Sequence, residues 1–354
     1  MQKNKKFILG IALIFLAAGC NFFSSSLPAG VMKSTNGGAD WQFSNAIKGN
    51  SAQSLVSLSI SKMAFAPSNR ETVYAGSYTS GLFKSEDSGA NWSKILSNVF
   101  VYDFAISPGD PKIIYAAGYF ADHGRVVKTT DGGASWNQVY NEESTLNAVR
   151  AIAINPNNPN QIIIGTTSGS IIKSADGGIS WQLARNFSDR VNRMLWQNGN
   201  IYVLLKAKGL FKSTGFAENF DEVSSTLSKT YNLGSLSYTS STIDSFSQLY
   251  VDYTTPGLIY VTTNKGLFKT VDDGKNWQQL QLPVKAEDAD ARAVAIAPSS
   301  SNIVFTSVGS TIYKSTDGGQ TFQTQSKQTA GFINYILIDP QLPQIVYAGV
   351  YSSQ

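Results

Sequence analysis

The stretch Lys128-Thr129-Thr130-Asp131-Gly132-Gly133-Ala134-Ser135-Trp136 decides the fold, because variants of it recur along the whole chain. Lys173-Ser174-Ala175-Asp176-Gly177-Gly178 is followed by Trp181, and Lys314-Ser315-Thr316-Asp317-Gly318-Gly319 is followed by Phe322. The pattern Ser/Thr-x-Asp-x-Gly is typical of a tight turn between two strands. We expect the Asp side chain to accept hydrogen bonds from backbone N–H groups two or three residues on. Glycine would supply the positive φ of the turn, and the aromatic residue would pack into the sheet.

Seven copies of this turn start at residues 34, 85, 129, 174, 213, 270 and 315, so the spacings are 51, 44, 45, 39, 57 and 45 residues. A period near 45 is that of one four-stranded blade of a β-propeller. The copy that runs from Ser213 to Phe220 has lost its Asp and its second Gly. The expected structural residues at the Asp position of the other copies are Asn36, Asp87, Asp131, Asp176, Asp272 and Asp317.

Strand-like runs surround each turn, as in Ala151-Ile152-Ala153-Ile154 and Ile303-Val304-Phe305-Thr306-Ser307. The alternation of small and large residues in the first type of run suits the crowded innermost strand of a blade. The last unit stops after two strands, and residues from Gly30 onward supply the missing third strand, turn and fourth strand. We therefore predict an all-β, seven-bladed propeller over residues 30–354. Its closing blade would be shared between the two ends of the chain, which removes open sheet edges.

The turn resembles the Asp box, or BNR repeat, of sialidases, sortilin-type receptors and xyloglucan-degrading hydrolases. A single propeller of this size is also similar to the photosystem II assembly factor, which binds a partner protein and does no chemistry. The resemblance covers nearly all of the chain beyond the N-terminal segment and implies the propeller fold. It does not imply one function, since the same turn occurs in enzymes and in binding proteins.

The N-terminal segment reads as a targeting signal. Three lysines precede an apolar run from Phe7 to Ala18, which is too short to span a bilayer comfortably. Leu16-Ala17-Ala18-Gly19-Cys20 resembles a bacterial lipobox, so we predict a signal peptide over residues 1–19, lipidation of Cys20 and a tether over residues 20–29. The alternative is an ordinary secretory signal. Asn21 resembles the residue that follows the cysteine in outer-membrane lipoproteins, so we expect an extracytoplasmic site on a bacterial outer membrane or cell surface.

Composition excludes several classes of function. The formal charge of +4 falls to +1 without Lys3, Lys5 and Lys6, so we expect no nucleic-acid partner. With Cys20 as the single cysteine and His123 as the single histidine, the chain cannot build a His-rich or Cys/His metal site. We predict no metal, no cofactor and a monomer. No recognisable nucleophile motif accompanies His123, so we name no catalytic residue.

Polar residues at the heads of the innermost strands are the candidate binding site. The seven aligned positions are Ser61, Tyr102, Arg150, Asn192, Ser247, Arg292 and Asn334. We expect them to surround the mouth of the central channel on the face opposite the Asp boxes, with Asp103, Arg190 and Arg193 nearby. The candidate binding residues are Tyr102, Asp103, Arg150, Arg193, Arg292 and Asn334. Tyr78, Tyr119, Phe120 and Tyr351 lie in nearby loops. The alternative is that these are ordinary solvated loop ends.

Two functions remain open at this point. The first is a non-catalytic, membrane-anchored scaffold that binds a protein or a polysaccharide at the cell surface. The second is a glycoside hydrolase of the xyloglucanase or sialidase type, in which Asp103 with Asp290 or Glu287 would supply the two carboxylates. The chain lacks the Arg-Ile-Pro segment of sialidases, and xyloglucanases normally pair two propellers around the cleft. The Ser/Thr-rich stretch 221–247 is either a binding flap or an inert loop.

Overall fold

Seven four-stranded antiparallel sheets form the molecule, and each sheet is one blade of a ring. The computed structural model describes residues 28–230, 243–325, 329 and 331–352, with only the backbone of residues 50–53 and 228–230. The predicted signal peptide, Cys20 and most of the predicted tether lie outside the described residues, as does the middle of the stretch 221–247. The prediction of an all-β, seven-bladed propeller is confirmed.

Six blades are continuous in sequence, and their strands run in order from the channel outward. Blade 1 consists of Ile60–Ala66, Asn69–Ser77, Gly81–Ser85 and Ser93–Leu96. Blade 2 consists of Phe100–Ile106, Ile114–Phe120, His123–Thr129 and Asn137–Asn141. Blade 3 consists of Val149–Asn155, Asn158–Thr166, Ser170–Ser174 and Gln182–Asn186.

The second half of the ring repeats the same order. Blade 4 consists of Val191–Gln197, Asn200–Leu205, Gly209–Thr214 and Asp221–Glu222. Blade 5 consists of Phe246–Val251, Ile259–Thr263, Gly266–Thr270 and Gln278–Leu280. Blade 6 consists of Ala291–Ala297, Ser300–Val308, Thr311–Ser315 and Gln323–Thr324.

Blade 7 closes the ring with strands from both ends of the chain, as predicted. Phe332–Ile338 and Val346–Tyr351 are its inner strands, and Gly30–Ser34 and Gln42–Phe43 are its outer strands. The third strand pairs in register with the second, from Gly30 opposite Val350 to Ser34 opposite Val346. Asn45 reinforces this closure, because its amide accepts a hydrogen bond from Val31 N at 2.8 Å and donates to Ala29 O at 2.9 Å.

Three short elements lie outside the blades. A hairpin of Ala46–Ile47 and Asn50–Ser54 joins blade 7 to blade 1 and accounts for the longer first spacing. The helix Ser225–Thr230 follows blade 4, and Ala286–Asp288 forms a 3₁₀ turn before blade 6. Within the described residues, no helix is both long enough and apolar enough to cross a membrane.

The core is a ring of seven hydrophobic clusters of described residues, one in each joint between neighbouring blades. The second strand of a blade therefore has apolar neighbours on both faces, as at Ile162, Ile163 and Ile164, which are all fully buried. A short, continuous apolar run is typical of a strand buried in this way.

The Asp boxes form the turns between third and outer strands, and one hydroxyl organises six of the seven turns. In the degenerate copy Ser213 Oγ donates to Thr214 O instead. Ser85 Oγ donates to Asp87 Oδ1 at 2.7 Å and accepts from Gly89 N at 2.8 Å. Asp87 Oδ1 then accepts from Asn91 N at 2.8 Å, four residues on. The offset of two residues is not seen, because the hydroxyl already takes the N–H group two residues after the Asp. The offset of three residues occurs at Asp176, which accepts a backbone bond from Ile179 in addition to the bond from four residues on.

The first box keeps the same hydrogen bonds with the two chemical groups exchanged. Asn36 Oδ1 accepts from Asp40 N at 2.8 Å, and Asn36 Nδ2 donates to Asp40 Oδ2 at 2.7 Å. In blade 1 the order is reversed: Asp87 comes first in the turn, and the side-chain amide of Asn91, four residues later, donates to its carboxylate. Asn36 therefore serves the turn only because a carboxylate stands four residues later.

Candidate functional site

A β-bulge near the start of every innermost strand sets the geometry of the site. At each bulge the pairing with the second strand skips a residue, and in blade 5 it skips Ser247 and Gln248. A bulge bends the strand and re-aims the unpaired side chain. The skipped residues are the seven aligned strand heads, namely Ser61, Tyr102, Arg150, Asn192, Ser247, Arg292 and Asn334.

A cavity of about 820 Å³ opens on the face where the innermost strands begin. In an antiparallel blade this face also holds the loops between second and third strands, whereas the Asp-box turns lie at the other end. We call this cavity the funnel. It brings together four of the six candidate residues, which are Tyr102, Arg150, Arg292 and Asn334. Its other lining residues are Ser57, Leu58, Ser59, Tyr78, Thr79, Ser80, Phe100, Arg190, Tyr351 and Ser352.

Three arginines form the cationic wall of the funnel. The Arg150 guanidinium carbon lies 4.0 Å from the centre of the Tyr102 ring, and its buried Nε has no hydrogen-bond partner. Arg190 Nε donates to Asn192 Oδ1 at 2.9 Å. Burial and the charge of Arg150 lower the pKa of Arg190, so the two guanidinium groups repel each other in a partly dehydrated place.

Arg292 completes this wall and has a partner of its own. Its guanidinium donates to Asp290 Oδ2 at 2.6 Å and lies 4.3 Å from the centre of the Phe332 ring. The Asp290 side chain is 42% exposed, so solvent screens this pair. Arg292 is therefore held in place, whereas Arg150 faces the funnel without a counter-charge.

Aromatic side chains line the funnel next to the arginines, since Arg150 stacks on the Tyr102 ring. The Tyr78 ring centre lies 5.6 Å from that of Tyr102 and 5.5 Å from that of Tyr351. Asn334 Nδ2 donates to the Tyr78 hydroxyl at 3.4 Å, which connects this cluster to the head of blade 7. Such clusters offer apolar surface together with hydroxyl groups.

The other two candidate residues lie beneath the funnel, inside the channel. Asp103 is 1% exposed, and it pairs with Lys62 Nζ at 2.6 Å and accepts from Ile152 N at 3.0 Å. Its carboxylate is therefore occupied by the propeller itself.

Arg193 reaches across the channel from blade 4. Its Nε donates to Gln248 Oε1 at 3.0 Å, and its terminal nitrogen donates to Ser61 O at 3.3 Å on the far side of the ring. Gln248 Nε2 in turn donates to Asn334 O at 3.4 Å. These contacts form a floor, so the funnel ends inside the ring.

The structure adds residues that sequence reasoning had placed elsewhere or had not named. Phe100 and the stretch 57–59 line the funnel. Phe100 begins the inner strand of blade 2, residues 57–59 precede that of blade 1, and neither position gave a separate signal in the sequence. Tyr119 lies outside the funnel, with its hydroxyl bonded to Asp122 O, and Phe120 is buried in the joint between blades 1 and 2. Among the described residues, no three His, Cys, Asp or Glu side chains group closely enough to hold a metal ion.

Comparison with known families matches most of the chain. The sequence model of the family described as photosynthesis system II assembly factor YCF48 matches residues 22–243 and 250–341. The chain belongs to this family. No curated protein matches the sequence.

Solved structures share the propeller fold at low sequence identity. The structure of YCF48 bound to a D1 peptide is 18% identical, with a TM-score of 0.60, over 84% of this chain and 93% of that chain. The GH74 xyloglucanase of Xanthomonas campestris is 15% identical, with a TM-score of 0.65, over 83% of this chain and 51% of that chain. The chain thus spans about half the length of that xyloglucanase.

A third structure is that of an extracellular domain. The extracellular domain of the one-component system protein BT4673 from B. thetaiotaomicron is 16% identical, with a TM-score of 0.61. The match covers 88% of this chain and 39% of that chain. Because all three identities are low, these similarities show a shared fold and nothing finer. The same fold serves enzymes and a non-enzymatic assembly factor.

Proposed function

We propose that this propeller is a non-catalytic scaffold that binds an acidic, extended segment of a partner protein in the funnel. The observation that carries the proposal is the grouping of arginines in the funnel. Among the described residues neither Arg150 nor Arg190 forms an ion pair, and Asp189 only partly offsets the lowering of the Arg190 pKa. The described residues that line the funnel include three arginines and no Asp or Glu. A carboxylate from a ligand would accept hydrogen bonds from both guanidinium groups and remove their repulsion.

The aromatic wall supports a peptide rather than a small anion as the ligand. Tyr78, Tyr102 and Tyr351 line one cavity with the arginines, so a ligand can place apolar and acidic side chains side by side there. Aromatic and arginine side chains together are the groups that dominate protein interfaces. The D1 peptide bound to YCF48 gives further support to a peptide ligand.

The alternative, a glycoside hydrolase, has less support at this site. Hydrolysis by either common mechanism needs two carboxyl groups that flank the scissile bond. Asp103 is buried and engaged, and Asp290 is paired with Arg292. We expect no turnover of β-glucans, xyloglucan or sialosides. Release of reducing sugar that is lost on substitution of Asp103 or Asp290 would favour the hydrolase instead.

We further propose that the scaffold is extracytoplasmic and is anchored to a bacterial membrane through Cys20. The first described residues enter the ring beside the funnel, because Ala29 N donates to Val56 O at 2.8 Å next to the lining residue Ser57. A tether of about ten residues reaches at most ~35 Å, so an anchor at Cys20 would hold the funnel towards the membrane. Cys20→Ser should abolish labelling by a fatty-acid analogue and move the protein to the soluble fraction.

Fluorescence anisotropy with an acidic peptide tests the binding site. The probe is a labelled decapeptide of alternating Glu and Leu, and its counterpart with Gln in place of Glu tests the role of charge. We expect the full chain to bind the first peptide at least tenfold more tightly than the second. The double variant Arg150→Ala/Arg190→Ala should lose this preference, and the exposed Arg185→Ala should keep it. Equal binding by the double variant would refute the proposal.

A further inference from the structure

At six of the seven joints between blades, a lysine on the third strand of one blade contacts the next blade on the Asp-box face. Each lysine immediately precedes an Asp box, and its ammonium group contacts the box turn of the next blade. Each ammonium group also lies between 4.9 and 5.7 Å from the centre of an aromatic ring. The contacts are Lys33 with Ser88 O, Lys128 with Gly177 O, Lys173 with Phe216 O, Lys212 with Asp273, Lys269 with Gly318 O and Lys314 with Gly37 O.

The joint between blades 1 and 2 is the exception. Lys84 Nζ bonds to Glu86 Oε1 at 2.6 Å within its own blade. Glu86 is the cause, because the position two residues after the lysine is neutral in every other copy. The residues at that position are Thr35, Thr130, Ala175, Thr214, Val271 and Thr316.

A buried tyrosine is left without its usual contact at the same joint. Tyr74 pairs with Lys84 in the register in which Tyr115 pairs with Lys128. The Tyr115 hydroxyl donates to Gly177 O at 2.9 Å in the next blade, as Tyr347 donates to Ser88 O at 2.7 Å. Tyr74 is 2% exposed, and its hydroxyl makes no such bond among the described residues. In the turn of blade 2, the carbonyl that corresponds to the Gly177 acceptor is that of Gly132.

The cleft at the joint without a lysine contact is larger than the clefts at two joints that have one. The cleft between blades 1 and 2 measures about 560 Å³, and it is lined in part by Lys84, Glu86, Asp131 and Gly132. The corresponding clefts at two connected joints measure about 340 Å³ beside Lys33 and about 190 Å³ beside Lys314. The largest cleft of the three therefore lies where no lysine crosses.

We propose that this cleft is a second binding site, which accepts the ammonium group of a lysine from a partner protein. The six other joints define the chemistry, since each holds an ammonium group against a turn acceptor and an aromatic ring. In the open joint the incoming group would meet the Gly132 carbonyl and the Asp131 carboxylate, which line the cleft. The aromatic ring would be that of Tyr74, the strand partner of the lining residue Lys84. Three lysines also line the cleft. Lys84 is paired with Glu86, Lys94 donates to Ser80 Oγ at 3.0 Å, and Lys48 lies close enough to Glu86 to help Lys84 lower the pKa of that carboxyl group.

The site is independent of the funnel because it lies on the opposite face. Its failure and that of the proposed funnel function are therefore distinguishable. The funnel binds acidic groups through arginines, whereas this cleft binds a basic group through oxygen atoms. A scaffold with both sites could hold two partners of opposite charge at the same time.

NMR titration with Nα-acetyl-lysine N-methylamide tests the proposal on the full chain with labelled tyrosine rings. We expect the Tyr74 resonance to shift and to saturate at millimolar ligand, while the norleucine analogue, which lacks the ammonium group, causes no shift. Glu86→Thr should free Lys84 to cross the joint, and so weaken binding at least fivefold. Glu143→Thr removes an exposed charge elsewhere and should leave binding unchanged.

A reverse substitution guards against a trivial loss of fold. Thr316→Glu should divert Lys314 and create a second lysine-binding cleft between blades 6 and 7, seen as a doubled stoichiometry. Two outcomes would overturn the proposal. One is the absence of any Tyr74 shift at 50-fold excess over a millimolar protein sample, roughly the excess that a Kd of a few millimolar requires. The other is equal affinity in wild type and Glu86→Thr.

Discussion

The two faces of the ring treat their polar groups differently. On the Asp-box face six of the seven turns satisfy themselves, since the Ser or Thr hydroxyl of each accepts from an N–H group of the same turn. Trp136 Nε1 donates to Ile95 O of the preceding blade at 2.8 Å. On the funnel face, Arg150 presents a buried Nε without a partner. One face is used to hold the ring together, and the other keeps charge available for a ligand.

This difference indicates where function can change without loss of the fold. The hydroxyl contacts of the Asp boxes recur in six blades and the lysine contacts at six joints, so a ligand site on this face needs an interruption such as Glu86. Four of the seven bulge residues line the funnel, and the Asp-box turns do not depend on any one of them. We therefore expect substitutions on the two faces to separate stability from binding.

The largest effect should come from the Asp-box face. Trp92 is fully buried in the joint between blades 7 and 1, and its Nε1 donates to Ser44 O at 2.7 Å. Trp92→Ala should lower the free energy of unfolding by about 3–5 kcal/mol, the usual cost of such a cavity. Chemical denaturation measures this loss. The exposed Leu183→Ala is the control, and a loss below 1 kcal/mol for Trp92→Ala would contradict the role of this face.

The funnel should show the opposite behaviour. Arg190→Ala should weaken binding of an acidic peptide by about 2 kcal/mol, or roughly thirtyfold in Kd. The thermal midpoint should stay the same or rise, because the variant removes a repulsion with Arg150. Calorimetry gives both quantities. A fall in the midpoint comparable with that of an Asp-box variant would show that Arg190 is structural.

A smaller change on the Asp-box face isolates the turn from the packing. Ser85→Ala removes the hydroxyl that binds Gly89 N and Asp87. Because a buried N–H group loses its acceptor, we expect a loss of about 1–3 kcal/mol in the free energy of unfolding. Ser93→Ala, at an exposed position nearby, should change it little. Equal effects of the two substitutions would mean that the turn needs no hydroxyl.

The smallest effect should appear in the dependence on pH. Hydrogen bonds from Asn276 and Thr270 lower the pKa of Asp272 from 3.8 to about 2. A carboxyl group with a lowered pKa in the folded state stabilises the fold above its unfolded pKa, and this contribution is lost as the pH falls from about 4 to about 2. Urea midpoints across this range should fall less in Asp272→Asn than in wild type. Identical slopes would exclude this contribution.

Much of the fold followed from local repeats. The spacing of the turns fixes the number of blades, and the incomplete units at the two ends complete each other at Gly30 and Val350. The details of the turn did not follow, since the offset of the Asp acceptor depends on which N–H group the Ser hydroxyl has already taken. The exchange between Asn36 and Asp40 was likewise hidden, because the sequence shows only the loss of an Asp.

The site was predictable in outline only. Alignment of the strand heads placed Arg150 and Arg292 at the channel mouth, because equivalent positions in equivalent blades meet at the axis. The alignment did not show that Tyr102 lines the funnel whereas its neighbour Asp103 does not. A bulge turns Tyr102 into the funnel and leaves Asp103 in the channel, and a bulge changes the pairing of a strand without a distinct residue pattern. The missing lysine contact beside Glu86 was also not predictable, because it is recognised only when the neighbouring blade is seen in the structure.

Hydrogen exchange of the full chain with and without the acidic decapeptide tests most directly which face binds. We predict slower exchange in residues 57–59, 78–80 and around Arg150 and Arg190, with no change in the Asp-box turns. Protection confined to the turns at Asp87, Asp131 and Asp176, with the funnel segments unchanged, would contradict the account.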